Sequence, residues 1–382
     1  MKPVNALMVG IGICGGSVAV AESSVTAYGL INKELRYVSQ SVEVDADKAA
    51  KVTDVDGAET RMGVKGSTPG KGLIKSVDGK LELGVNSAGD NSGAEGRIRV
   101  RLANAKLNLK NAGSFTFGKD WTPSSLFYIR MDPFSGTVAQ SFNLDQSYLN
   151  GGFGYGTFKG VGYSFRPFRN QVKYTSPTMG GVTAHLTYDT GGPHNFSSAD
   201  ETATPKNNTE LHVAYNHKMV DLGLTYVKCT GCSEDFPMTD FSLGAKVKLN
   251  AITIGVNYNS QEIAYKLKTG STDEFEAITA DRVYFAADYA MGDMGFSLSH
   301  AEVSASDDLV GGTEEAPTTI EGATQSISAV GARYSVAKNV MLRLTLATAT
   351  AKADTTIVTN EDGEAKKENS ATIAAFGVKV GI

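Results

Sequence analysis

The strongest constraint in this chain is a period of two. Successive side chains of a β-strand point to opposite faces, so a strand lying between two unlike media alternates. Leu222, Leu224 and Tyr226 alternate with Gly223, Thr225 and Val227. Phe241, Leu243, Ala245, Val247 and Leu249 alternate with Ser242, Gly244, Lys246 and Lys248. The same rule holds for Leu211 to Tyr215, for Ile252 to Tyr258, and for Val340 to Leu346 against Met341, Arg343 and Thr345. Lys246, Lys248 and Arg343 all fall on the face away from the aliphatic residues. A charge facing lipid costs roughly 2–4 kcal/mol at the bilayer midplane, so a membrane-crossing strand demands that placement. A soluble sandwich also alternates, and the number of such segments together with an export signal decides between the two.

That signal lies at the start. Lys2 supplies a short positive region, residues 6–20 are apolar but too short and Gly-rich to span a bilayer, and Ala19-Val20-Ala21 is a small-x-small cleavage site. Ile13, not a small residue, precedes Cys14, which argues against a lipid anchor. We expect a signal peptide over residues 1–21 and one β-barrel domain over 22–382. Loss of Lys2 takes the formal charge from −5 to −6. The mean hydropathy of −0.16 resembles that of a soluble protein. A barrel gives the same average, because half of each strand faces water. No later stretch reaches the roughly 18–20 apolar residues of a spanning helix.

Connections alternate between short and long. Short ones fall near residues 110–113, 176–181, 219–221, 249–251, 291–295 and 336–339; long polar ones at 190–208, 229–238, 261–280, 304–324 and 353–370. Membrane barrels have short periplasmic turns and long outer loops, with an even strand number in bacteria. The expected fold is therefore all-β: a transmembrane, antiparallel, up-and-down barrel of about sixteen strands. Tyr37, Tyr188, Tyr215, Tyr226, Tyr258, Tyr289 and Tyr334 sit toward segment ends, as interfacial girdles would. The wall facing away from the aliphatic residues is rich in Gly, Ser and Thr, which suits an open, wet lumen.

Several short stretches resemble the Gram-negative general porins. Val25-Thr26-Ala27-Tyr28-Gly29 is similar to the family's first strand, and Thr60-Arg61-Met62-Gly63-Val64-Lys65-Gly66-Ser67 to its S-R-x-G-F-K-G. Gly113-Ser114-Phe115-Thr116-Phe117-Gly118-Lys119 with Trp121-Thr122-Pro123 resembles the strand entering the constriction loop, and Tyr174-Thr175-Ser176-Pro177 with Gly180-Gly181 the turn after it. Their order and spacing between residues 25 and 190 carry the likeness; beyond 190 it is one of pattern. The resemblance implies a sixteen-stranded homotrimer in the outer membrane, in contact with lipid and lipopolysaccharide. It also implies a third loop, here residues 120–168, folded into the lumen, with Asp132-Pro133-Phe134-Ser135-Gly136 near its tip. Members of that family form passive channels for small hydrophilic solutes and ions, and their last residue, usually Phe, is read by the barrel-assembly machinery. Here the closing strand alternates Phe376, Val378, Val380 and Ile382 against Lys379 and ends in Ile382.

Selectivity in such a channel is set by fixed charges on a narrow passage. Arg97, Arg99 and Arg101 share one parity, against Ile98, Val100 and Leu102. Arg61 and Lys65 share a parity against Met62 and Val64. We expect these five to form a basic wall at the constriction, faced from the loop by Asp132, Phe134 and Asp145, with a lean toward anions. A substrate-specific channel for sugars or anions is the first alternative, with Phe127, Tyr128 and Phe134 as an aromatic slide. An outer-membrane enzyme or an adhesin comes after it.

Other signals carry less. Cys229-Thr230-Gly231-Cys232 opens an expected outer loop in an oxidising setting, so a small structural disulfide is expected rather than a redox or zinc site. His212 and His217 differ in parity and suggest no metal site. Gly151-Gly152-Phe153-Gly154-Tyr155-Gly156 lacks the βαβ context of a nucleotide fingerprint. No catalytic group, cofactor or nucleic-acid partner is expected.

Overall fold

A computed structural model describes residues 23–40, 51–54, 60–85, 98–135, 137, 139, 168–189, 207–233, 236–267, 274–305, 309–313, 316–320, 322–354, 358–359 and 365–382. The expected signal peptide, Arg97, Asp145 and most of the expected constriction loop lie outside these residues, as does the side chain of Cys232.

The chain begins with strands β1 (Ser24–Gln40), β2 (Lys51–Asp54), β3 (Arg61–Pro69), β4 (Ile74–Val85), β5 (Ile98–Leu109) and β6 (Ser114–Trp121). Helix α1 (Pro123–Met131) follows, then β7 (Phe168–Thr175), β8 (Val182–Asp189), β9 (Asn207–Asn216) and β10 (Val220–Ser233). Next come β11 (Phe236–Leu249), β12 (Ile252–Leu267), β13 (Glu274–Met291), β14 (Met294–Ala305), β15 (Leu309–Thr313) and β16 (Ala316–Ile320). The last are β17 (Thr324–Ala337), β18 (Val340–Lys352), β19 (Val358–Thr359), β20 (Ala365–Lys366) and β21 (Glu368–Gly381).

From β3 to β14 each strand pairs antiparallel with the next; the ring continues through β17, β18 and β21. β21 returns to β1 in a register from Leu30↔Gly381 to Gln40↔Ala371. β2 and β3 pair with successive parts of the same edge of β1 and share one place, so the closed ring has sixteen positions. Closure leaves no open edge, a condition of crossing lipid with strands. β15–β16 and β19–β20 are small separate hairpins in long connections.

The short turns follow from local chemistry. Met291 pairs with Met294 across two residues, and Gly292 has φ +58°, as a right-twisted hairpin turn requires. Asn250, at φ 52°, does the same between Leu249 and Ile252. The outer connections differ from expectation. β10 and β11 continue to Ser233↔Phe236, and β12 and β13 to Leu267↔Glu274, so residues 229–238 and 261–280 are mostly strand. Past the bilayer both faces of a hairpin meet water, the alternation fades, and periodicity cannot see the strand.

The barrel inverts the soluble pattern. Leu222, Leu224, Tyr226, Leu344, Leu346 and Phe376 are exposed, whereas Thr225, Thr345, Asn257, Gln261 and Arg343 are buried. An exposed Leu or Phe forgoes roughly 1.5–3 kcal/mol in water, so this surface is stable only against lipid. No helix among the described residues is long and apolar enough to cross a membrane. Exposed tyrosines fall at two levels. Tyr289 and Tyr334 lie beside short turns, while Tyr226 and Tyr258 lie about seven residues farther along, roughly 20 Å at strand rise. Ile382 makes the final rung: Gly29 N–H donates to its carbonyl at 2.9 Å and its own N–H donates to Gly29 at 3.0 Å.

Candidate functional site

Inside the ring, the arc from β18 through β21 and β1 to β5 carries one cluster of cations. Arg61, Lys65, Lys80, Arg101 and Arg343 project inward there. Arg99 pairs with Gly84, which shares the inward parity of Glu82. Glu82 on β4 is the hub of this arc. Its Oε1 accepts the Arg101 Nε–H at 2.9 Å and lies 3.7 Å from Arg61 Nε. Its Oε2 accepts the Tyr28 hydroxyl at 2.8 Å and lies 3.8 Å from Lys80 Nζ. Lys65 and Lys80 pair across strands and sit 6.0 and 5.4 Å from the Tyr28 ring. Arg101 also lies 6.0 Å over Trp121, at the start of the loop. Arg343 donates to Asn32 Oδ1 at 2.6 Å.

Sequence parity therefore places Arg61, Lys65, Arg99 and Arg101 on one wall, but not Leu102. Leu102 is fully buried rather than lipid-facing. Glu82 pairs with Leu102 and Leu83 with Val100, so Arg101 is the extra residue of a β-bulge. A bulge turns two consecutive residues inward and breaks strict alternation. Glu82 and Lys80 were missed, although the alternation Lys80-Leu81-Glu82-Leu83 marks both as inward.

The loop begins with a helix that periodicity did not predict. α1 lies against β10, β11 and β12, about eight positions around the ring from the cationic arc. The barrel wall caps it at both ends. Thr122 makes no side-chain cap, and instead Glu210 of β9 accepts the Ser124 N–H at 2.9 Å. The Lys246 ammonium of β11 donates to the Arg130 carbonyl. An anion at the helix N-terminus and a cation at its C-terminus both complement the helix dipole.

The seat of α1 is made of glycine. Gly223 and Gly244 pair directly across β10 and β11, and a Cβ at either would lie 2.6 or 2.7 Å from the Phe127 ring. A Cβ at Gly331 would lie 2.7 Å from Phe134. These inward glycines are thus not open, wet wall, as composition suggested; they let aromatic rings of the loop approach the backbone. Phe127, Tyr128 and Phe134 are 8%, 5% and 2% exposed. They anchor the loop and cannot form a slide for solutes. Asn257 Nδ2 donates to the Tyr128 hydroxyl at 3.2 Å, and burial pushes that phenol above its usual range.

Asp132 is buried too, at 4% exposure. Its Oδ1 accepts the Phe134 N–H at 2.8 Å, and it lies close to the Tyr284 phenol of β13. It turns into the loop-to-wall contact instead of presenting a hydrated carboxylate to the arginines. Cys229 is buried and disulfide-bonded. His212 faces inward 5.8 Å from His185, while His217 is exposed at a turn. Among the described residues no three His, Cys, Asp or Glu side chains could share a metal ion.

The profile of the Gram-negative porin family matches residues 6–354. An outer membrane porin protein of Bordetella pertussis is 28% identical over 221 residues, 55% of this chain and 52% of that protein. The chain thus spans about half the length of the curated relative it matches. Among solved structures, an anion-selective porin from Comamonas acidovorans superposes with a TM-score of 0.67 at 18% identity, covering 94% of this chain and all of the other. The outer membrane channel DcaP of Acinetobacter baumannii gives 0.62 at 14% identity, covering 97% and 100%. At these identities the two structures establish the fold.

Proposed function

The chain belongs to the Gram-negative porin family, and from that premise we propose that it is an outer-membrane channel for passive diffusion of small hydrophilic solutes, with a preference for anions. One observation carries the preference. The cationic arc around Arg61, Arg99 and Arg101 faces a loop whose Asp132 is buried in its own seat. The carboxylate that meets Arg101 and Arg61, Glu82, is already shared between them and Lys80. Fixed charge of one sign on a narrow water path favours counter-ions of the other. The net charge of −5 does not oppose this, because acids such as those at residues 273–276 and 314–315 fall in expected outer connections.

Reversal potentials in a KCl gradient across a planar bilayer test the preference: chloride should carry most of the current, and a clear potassium preference would overturn the reading. Swelling of liposomes in sugars of graded size tests the channel itself; absence of uptake would end it, and a sharp preference for one sugar would favour a specific channel. We further propose a homotrimer surrounded by lipid and lipopolysaccharide, inserted by the barrel-assembly machinery, with cleavage after Ala21 and a Cys229–Cys232 disulfide.

A further inference from the structure

We infer that the channel holds a second, separate site: a subsite for a phosphate-sized oxyanion on the short-turn side of α1, formed by Lys106, Arg130 and Lys173. It rests on the channel reading above but not on the arginine arc. A cavity of about 320 Å³ lies there, walled by β5 to β9 and roofed by α1 through Leu126, Phe127 and Arg130. That is the size range of small-molecule sites and leaves room for a solute with water around it.

Register explains how the site is assembled. Lys106, Thr116 and Lys173 lie side by side across β5, β6 and β7. Thr175, His185 and His212 form the neighbouring row across β7, β8 and β9. The three cations converge, since Lys106, Lys173 and Arg130 all line this one cavity. The one carboxylate of the lining, Asp120, is already engaged. It accepts Lys173 Nζ at 2.6 Å and Asn104 Nδ2 at 3.1 Å. Among the described residues neither Lys106 nor Arg130 makes an ion pair within 4.0 Å; Lys106 lies opposite Asp78 of β4, whose Oδ1 and Oδ2 are taken by Ser67 and Asn108.

Neutral donors complete the lining: the hydroxyls of Thr116, Thr175 and Thr183, and the Asn216 amide. Thr175 and His185 already bond each other at 3.1 Å, which holds both in place. Three cations against one lining carboxylate, among several hydroxyls, suit a compact oxyanion, which accepts many hydrogen bonds at once. The same lining offers a metal cation no free acid. Pro123, Leu126 and Phe127 exclude water from one side, which strengthens the attraction.

The test uses the full-length protein in planar bilayers, with inorganic phosphate added to KCl at constant ionic strength. Phosphate should lower the chloride current in a saturable way, whereas glucose should not. Lys106→Gln and Arg130→Gln should each raise the half-effective phosphate concentration at least fivefold. Lys338→Ala, on an exposed turn, should leave it unchanged. Heat-modifiable mobility in detergent confirms that each variant is folded. A normal conductance that phosphate does not saturably reduce, or a reduction equal in folded variants and parent, would overturn the subsite. Absence of any conductance would instead overturn the channel reading.

Discussion

Glu82 shows how a single residue can set both stability and selectivity. It lies buried beside Arg101, and each charge compensates the other in a site that water barely reaches. Removing one partner of such a pair typically costs about 3–5 kcal/mol, because the other is left uncompensated. Arg101→Ala should therefore lower the temperature at which the folded band is lost in detergent electrophoresis. An unchanged temperature would show that the pair contributes nothing. Glu82→Gln keeps the shape and removes the negative charge. A unit charge at 4 Å through water is worth about 1 kcal/mol, so chloride-over-potassium permeability should rise roughly fivefold. A fall in that ratio would count against the arc as the selecting element. Parity alone placed the arginines on this wall. It could not place Leu102, because the bulge at Arg101 comes from the register of β4 and β5 rather than from either strand alone.

At the scale of elements, α1 decides the shape of the lumen, yet it is nine residues long. Isolated helices shorter than about 12–15 residues are marginal in water, so its stability is tertiary. Its caps come from Glu210 and Lys246, and its seat from Gly223 and Gly244, all at least eighty residues away in sequence. Thr122-Pro123 is a local helix-start signal, but the weak amphipathic pattern of residues 123–131 gives it no face to bury without those distant partners. Gly244→Val should push the Phe127 ring out of its seat and shift the helix. Single-channel recordings should then show altered conductance and added open-channel noise in a protein that still migrates as folded. Glu210→Gln should give the noise with a smaller change in conductance, since a neutral amide oxygen can still accept the Ser124 N–H. If both variants record like the parent, α1 does not bound the conducting path.

For the whole molecule, the decisive event is closure of β21 on β1. The register runs to the last residue, and Ile382 exchanges both backbone hydrogen bonds with Gly29. Ile382 is 75% exposed, so its side chain faces outward from the seam. Ile382→Asp should sharply reduce heat-modifiable protein recovered from the outer membrane, and Ile382→Phe should match or exceed the parent. Equal recovery of all three would show that this side chain plays no part in assembly.

By itself the sequence determined the class of fold, the approximate strand number and the lipid-facing set. These follow from one repeated local rule, that a strand between lipid and water must alternate. Lys246, Lys248 and Arg343 obey it, and so do the exposed rows from Leu211 to Phe376. The tertiary structure decided which inward residues meet water. Asp132, Phe134 and the inward glycines all sit on the lumenal side, but the seating of α1 buries them, while Lys106 and Arg130 are left lining a cavity. That division depends on where distant strands and the loop come together around the ring, and a period-two pattern carries no information about it.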